Sequence, residues 1–259
     1  MKISVVTVAM NSAKTIGRTV ESFVRQSHPS KELVLIDGAS HDGTVDLVRS
    51  IAGDGVVVVS ERDHGIYDAM NKGLKTFSGD VVGFLNSDDS FAHGDVLSEI
   101  EAALADADIT FGNIDFVAGG SKTSVVRRWR CTPYRSGAFA AGWMPPHPAF
   151  YVRRVVVDAV GPFDTNYRIG GDYDFMLRAM ELNSFRVAFV NRVLVCMAVG
   201  GKSTRGFGAY VRGNLEALHS RRVWLGSGAV DLALVAKPLN KLHQFLPRPW
   251  RDTVGAGVK

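Results

Sequence analysis

Three acidic stations punctuate the first third of the chain. Asp37 follows ELVLI, Asp63 follows VVVVSER, and the pair Asp88-Asp89 follows VVGFLNS. Each carboxylate comes where an apolar, strand-like run ends. Asp is a common turn and cap former, so one such residue carries little information. Two adjacent carboxylates beside a core are different, because like charges repel and burial penalises ionisation. Such a pair needs a cation. Carboxylate oxygens suit a hard divalent ion, Mg²⁺ or Mn²⁺, that is itself bound to phosphate. An isolated acid such as Asp37 suits hydrogen bonding to a base or a ribose. The sequence contains no GxGxxG, no GxxxxGK[ST] and no DxDxDG loop. A dinucleotide fingerprint, a P-loop and an EF-hand loop are therefore excluded.

These residues need a scaffold, and the pattern supplies one. Ile3–Ala9, Glu32–Ile36, Val56–Ser60 and Val81–Leu85 are short, β-branched and nearly continuous in apolar character, as buried strands are. Between them, Ile16, Val20, Phe23 and Val24 recur at helical spacing, and His28-Pro29 ends that helix. Thr44–Ile51 and Gly65–Phe77 read as two further helices. The alternation predicts a parallel sheet covered on both faces, with ligands bound beyond the carboxyl ends of the strands. Past residue 95 the expected elements are a helix at Val96–Ala105, a strand at Ile109–Val117, and a long loop over 119–148. Helices at Val155–Val160 and Tyr173–Glu181 and a strand at Arg186–Val199 follow. Two or three helices begin at Phe207, and residues 247–259 are expected to fray.

At 259 residues and 46% hydrophobic, the chain can bury one large core, with or without a small appendage. No run approaches the roughly 18 apolar residues of a membrane span, and the start MKISVVTVAMNS does not read as a signal peptide. A cytoplasmic protein is expected. Cys131 and Cys196 form neither a disulfide framework nor metal spacing. Charge is uneven: residues 1–201 hold 20 Lys and Arg against 23 Asp and Glu, whereas residues 202–259 hold 10 against 3. The basic tail, with Leu215, Leu218, Trp224 and Leu225 among its arginines, suits an anionic membrane face or the protein's own surface. No nucleic-acid reading motif accompanies it.

The segments SVVTVAMNSAKTIGRTVES, ELVLIDGASHDGT, ERDHGIYDAMNKGL and FLNSDD, in this order, resemble the nucleotide-binding half of family 2 glycosyltransferases. PHPAFYVRR and GGDYDFMLR resemble the acceptor-side motifs of the same family. The resemblance covers about residues 2–205. It implies a GT-A fold, a Rossmann-like, mostly parallel sheet flanked by helices. Residues 1–95 would form the nucleotide-binding half, 96–205 the acceptor half, and 206–259 a basic helical extension.

The resemblance implies roles residue by residue. Asp37 and Asp63 match base- or ribose-side contacts. Asn86 stands where the DxD-type motif usually opens with Asp, leaving Asp88 for ribose or metal and Asp89 for metal. Asp172 matches the catalytic base of the ED-type motif, whose Glu is replaced here by Gly171. It equally suits the start of the helix that follows it. Asn71 and Lys72 fall in a segment that lines the donor site, and Asn11 either contacts the nucleotide or caps a helix. His147 is a candidate acceptor contact, or a structural histidine. Arg128, in the run Arg127-Arg128-Trp129-Arg130, is a candidate for gripping phosphate, or belongs to a solvated strand. The expected activity is metal-dependent, inverting hexosyl transfer from a nucleotide-diphosphate sugar, UDP-linked for preference. The expected acceptor is a cell-surface glycan or glycolipid, with peripheral contact at the inner membrane face. A sugar-1-phosphate nucleotidyltransferase is the first rival, but AMNSAKT stands where those enzymes carry a Gly-rich, Arg-bearing loop. A non-catalytic nucleotide- or glycan-binding module is the second.

Overall fold

The computed structural model describes residues 1–120, 124–199 and 207–226. Its first half is the predicted alternation: β1 (Ile3–Ala9), α1 (Ile16–Val24), β2 (Lys31–Asp37), α2 (Thr44–Ala52), β3 (Val57–Ser60), α3 (Ile66–Thr76) and β4 (Val81–Phe84). There follow β5 (Ser90–Phe91), α4 (Val96–Ala103), β6 (Ile109–Val117), β7 (Val125–Trp129), β8 (Phe150–Arg153) and α5 (Arg154–Val160). The described chain closes with α6 (Gly171–Glu181), β9 (Val187–Ala198) and α7 (Phe207–Leu225).

One sheet runs in the order β3-β2-β1-β4-β8-β6-β9-β5, with β7 paired to β6. The first four strands pair in parallel, so their carboxyl ends share one edge. β8 joins antiparallel to both β4 and β6, and β9 lies parallel to β6. Burial divides by face, as the period of two in each strand requires. Val6, Val34, Ile36, Val82 and Phe84 pack against α3, α5 and α6. Ile3, Val5, Leu33, Leu35 and Val81 pack against α1, α2 and α4. Helices on both faces explain why the strands read as continuous apolar runs.

Three strands escape the sequence pattern, the two-residue β5 among them. β7 lies inside the stretch expected to be loop. Its residues alternate between half-buried and exposed, and two of its five are arginines, so an edge strand reads as a charged loop. β8 is four residues long and follows directly on a short turn at His147–Ala149. From Phe207 a single helix is described, and it packs on α6. Residues 200–206 and the tail past residue 226 lie outside the described residues.

Candidate active site

The carboxyl edge of the parallel strands is stitched together by its own loops. Asp37 ends β2 fully buried, and its carboxylate accepts from Ser40 N (2.9 Å), from Ser40 Oγ and from Ser60 Oγ (2.7 Å). Ser40 Oγ in turn accepts from Asn11 N (2.8 Å), and Asn11 Oδ1 accepts from His41 N (3.0 Å). Asn11 and Ala39 both hold left-handed backbone, with φ of 51° and 57°. Such conformations are costly for residues other than glycine and persist where the surroundings fix them, often at functional sites. Asp37 therefore shapes the loop rather than presenting a free carboxylate. Asp63 is the more open acid. Its Oδ1 accepts from Gly65 N (3.1 Å), and a Cβ on Gly38 would come within 2.7 Å of its Oδ2. The lack of a side chain at Gly38 lets Asp63 lie across the start of the β2–α2 loop.

The adjacent pair beyond β4 separates into two unlike groups. Asp89 is fully buried; its Oδ2 accepts from Asn86 Nδ2 (2.7 Å) and its Oδ1 from Ala198 N (3.0 Å). Burial, helped by the charge of Asp88, pushes its pKa up to about 7. Each oxygen of Asp89 already accepts one hydrogen bond from the protein, which leaves Asp88 the more open carboxylate of the two. The same geometry accounts for Asn86, since an Asp there would set a second carboxylate against Asp89. Asp88 is half-buried, and burial raises its pKa against the weaker pull of its own backbone N–H and the Arg18 charge. Arg18, on α1, also donates to Gly119 O (2.8 Å). Among the described residues it is a cation that acts on Asp88.

The linkage of Asp89 has a sign. Its folded pKa lies above the unfolded value, so the folded state holds the extra proton. Its contribution to stability is present below about pH 4 and is lost as pH rises towards 7. Asp89→Asn is expected to flatten the metal-free stability profile between pH 4.5 and 7 by a few kcal/mol, on the order of 1.4 kcal/mol per pKa unit. Urea unfolding at both pH values checks this, and an unchanged slope would count against it.

Asp172 lies in the first turn of α6, half-buried, with its Oδ1 accepting from Tyr173 N (2.8 Å). Tyr67, in the first turn of α3, donates its hydroxyl to Ile169 O just ahead of this turn. Burial and the negative charge of Asp172 push the Tyr67 phenol well up. Since α3 begins where β3 ends, Asp172 belongs to the same edge as Asp88. The departure at Gly171 has a steric cause: a Cβ there would lie 2.8 Å from Cε2 and Cζ of Tyr67. Gly171→Glu, which restores the usual ED pair, is therefore expected to destabilise the fold by about 1–3 kcal/mol through overpacking. Unchanged chemical stability would contradict that contact.

Three of the other expected site residues, Asn71, Lys72 and His147, make contacts within the scaffold. Asn71 spends its amide on Phe163, donating to its O (2.9 Å) and accepting from its N (2.8 Å). Lys72 pairs with Glu61 (2.9 Å) and donates to Arg62 O (2.7 Å), bracing the loop that carries Asp63. His147 is 7% exposed, stacked on Phe84 with centroids 5.3 Å apart, and burial holds its pKa down at about 4. A neutral ring in an aromatic core replaces the expected acceptor contact. Arg128 is exposed on β7, whereas Arg127 stacks on Phe116 (3.6 Å) and Arg130 pairs with Asp115 (2.6 Å). Among the described residues no cluster of three or more His, Cys, Asp or Glu stands ready to hold a metal. A half-buried carboxylate such as Asp88 nonetheless fits an ion that arrives with a diphosphate and keeps most of its ligands from phosphate and water. Sequence reasoning missed Arg18, Tyr67 and Gly38; Arg18 sits in the first turn of α1, and the acidic pair's need for a cation reads in the sequence as a metal ion alone.

The family model for Glycosyl transferase family 2 matches residues 4–157. This chain belongs to glycosyltransferase family 2. A curated Mycobacterium tuberculosis relative, a PGL/p-HBAD biosynthesis glycosyltransferase, is 30% identical over 189 residues, which is 69% of each chain. Glycosyltransferase AglE of Haloferax volcanii is 25% identical and aligns with 95% of this chain and 82% of its own. Among solved structures, S. aureus TarS 1-349 in complex with UDP has a TM-score of 0.67 at 20% identity, covering 93% of this chain and 71% of that one. Mannosyltransferase PcManGT from Pyrobaculum calidifontis, in complex with GDP-Man and Mn²⁺, has a TM-score of 0.66 at 21% identity over 93% and 70%. The glycosyltransferase therefore has the GT-A fold, and the nucleotidyltransferase alternative is set aside. No helix among the described residues is long and apolar enough to cross a membrane.

Proposed function

We propose that this glycosyltransferase transfers a sugar from a nucleotide-diphosphate donor, UDP-linked for preference, to an acceptor hydroxyl with inversion. What supports the reading is that two distinct carboxylates, Asp88 and Asp172, lie toward the carboxyl edge of the parallel strands. Asp88 is half-buried and under-compensated for its lost water; Asp172 stands at a helix start across Tyr67. Nucleotide-bound neighbours support the donor class, and Mn²⁺ beside GDP-Man in one of them supports a divalent ion.

In this mechanism Asn11, the Gly38–Ala39 turn and Asp63 hold the base and ribose, with Asp37 fixing the turn from beneath. Asp88 would hold Mn²⁺ or Mg²⁺, which when bound offsets the charge of the departing diphosphate. Arg18 adds a fixed positive charge at the same end of the cleft. Asp172 takes the proton from the acceptor hydroxyl as that oxygen attacks the anomeric carbon and the bond to the diphosphate breaks. One displacement of this kind inverts the centre and needs no covalent nucleophile.

The acceptor belongs to the same proposal: a cell-surface glycan or glycolipid, met at an anionic membrane face. Val211, Leu215 and Val223 are exposed on α7, near Arg212 and Arg222, a mixture that suits such a surface. Because α7 packs on α6 and cannot simply be removed, Leu215→Glu with Val223→Glu on its exposed face is the probe of that contact; unchanged vesicle partitioning would remove it. The transfer itself is tested by nucleotide release from UDP- and GDP-sugars with and without Mn²⁺. Release from one donor class, dependent on the ion, is expected. Binding without turnover for every donor would favour the binding-module reading.

A further inference from the structure

The backbone of Arg168–Gly170 leads into α6 and so sets where Asp172 stands. Two separate elements grip it. Tyr67 of α3 donates to Ile169 O. Glu216 of α7 accepts from Ile169 N (2.8 Å) and Gly170 N (2.7 Å) through Oε2, and Arg168 N lies 3.3 Å from both of its oxygens. Amide groups at a helix start lack intrahelical partners, and a carboxylate there also meets the positive end of the helix dipole. Glu216 thus acts as a cap supplied from another helix.

Two glycines permit the close approach. A Cβ on Gly170 would lie 3.0 Å from Cβ of Glu216, and one on Gly213 would lie 3.2 Å from Cγ2 of Ile169. The same face of α7 goes on to hold the rest of the turn. Ser220 Oγ (3.1 Å) and Trp224 Nε1 (2.9 Å) donate to Asp174 Oδ1, and the buried Arg221 donates to Tyr173 Oη (3.0 Å). Residues 172, 173 and 174 are consecutive, and the two residues that follow Asp172 are both anchored to α7. A helix that the sequence presents as an appendage is built into the floor of the site.

We propose that Glu216 is the positioning residue for Asp172, and that α7 serves the transfer reaction by fixing the turn that carries the base. The proposal rests on Asp172 as the base. Misplacing a reacting group by about 1 Å costs on the order of a hundredfold in rate. Donor affinity lies with other loops and stays outside this effect.

The test uses the full chain as wild type, Glu216→Ala, Glu216→Gln and Asp172→Asn. Its readouts are amide hydrogen exchange at Ile169 and Gly170 and nucleotide release from UDP-GlcNAc and GDP-mannose with Mn²⁺. Glu216→Ala is expected to speed exchange at both amides about tenfold or more and to lower kcat about 10- to 100-fold, with donor KM within about twofold. Glu216→Gln keeps one oxygen able to accept from both amides and is expected to restore most of the loss. Should Glu216→Ala not fold, Gly213→Ala replaces it. That change favours the helix yet presses a methyl on Ile169, and the same kcat loss is expected. Unchanged exchange at both amides, or a raised KM with kcat intact, would overturn the proposal. If Asp172→Asn keeps full turnover while Glu216→Ala still frees both amides, the base assignment fails and the cap survives.

Discussion

Asp172→Asn is expected to lower turnover by about 10²–10⁴-fold, the range a general base contributes, with nucleotide affinity unchanged. The substitution is a clean one here. Asp172 Oδ1 accepts from Tyr173 N, and an Asn oxygen can accept the same bond. The substitution also removes one acid from the first turn of α6, worth about 0.3–1 kcal/mol against the helix dipole. The fold is therefore expected to stand while the chemistry stops. The checks are kcat for nucleotide release, the dissociation constant for the nucleotide, and the unfolding midpoint. A kcat within tenfold of wild type would remove Asp172 from the reaction.

The second large effect separates the neighbours at the end of β4. Asp88→Asn is expected to weaken nucleotide binding in Mn²⁺ about a hundredfold, while binding without the ion and the stability of the fold change little. Asp88 is half-buried, and among the described residues no side-chain hydrogen bond or ion pair holds it as Asn86 and Ala198 hold Asp89. Asp89→Asn acts differently, because one of its two donors, Asn86 Nδ2 or Ala198 N, must then face an N–H. A buried polar group left unpaired costs about 1–3 kcal/mol. That variant is expected to unfold more easily and to bind the nucleotide less tightly only through the disturbed loop. The reverse pattern, with Asp89 carrying the metal dependence, would exchange the two roles.

The difference between these carboxylates marks where sequence reading stops. Strand-ending acids were visible because β1 to β4 are covered on both faces and read as apolar runs with polar breaks. The family motifs added order and gave Asp172 its role. Direction was not visible: a one-dimensional pattern cannot say that Asp89 turns inward to Ala198 N, 109 residues away. Nor can it say that the amide of Asn71 belongs to Phe163 or that His147 belongs to Phe84. Such assignments depend on which elements meet. β7 was hidden because half of an edge strand faces solvent and may carry charge at no cost. The helix at Phe207 and its packing on the protein's own surface were legible, but its contacts were not. Gly213, Glu216, Ser220 and Arg221 are polar or small, and their partners lie some 50 residues earlier. Gly171 is the opposite case. The departure from the family pattern was legible, and only the ring of Tyr67 explains it.

The most direct test of the central claim is calorimetric titration of UDP and GDP into the wild-type protein and Asp88→Asn, with and without Mn²⁺. The account predicts that one nucleotide binds wild type tightly only when Mn²⁺ is present, and that Asp88→Asn abolishes the dependence on the ion. Equal affinity with and without Mn²⁺ in both proteins, or no binding of either nucleotide, would contradict it.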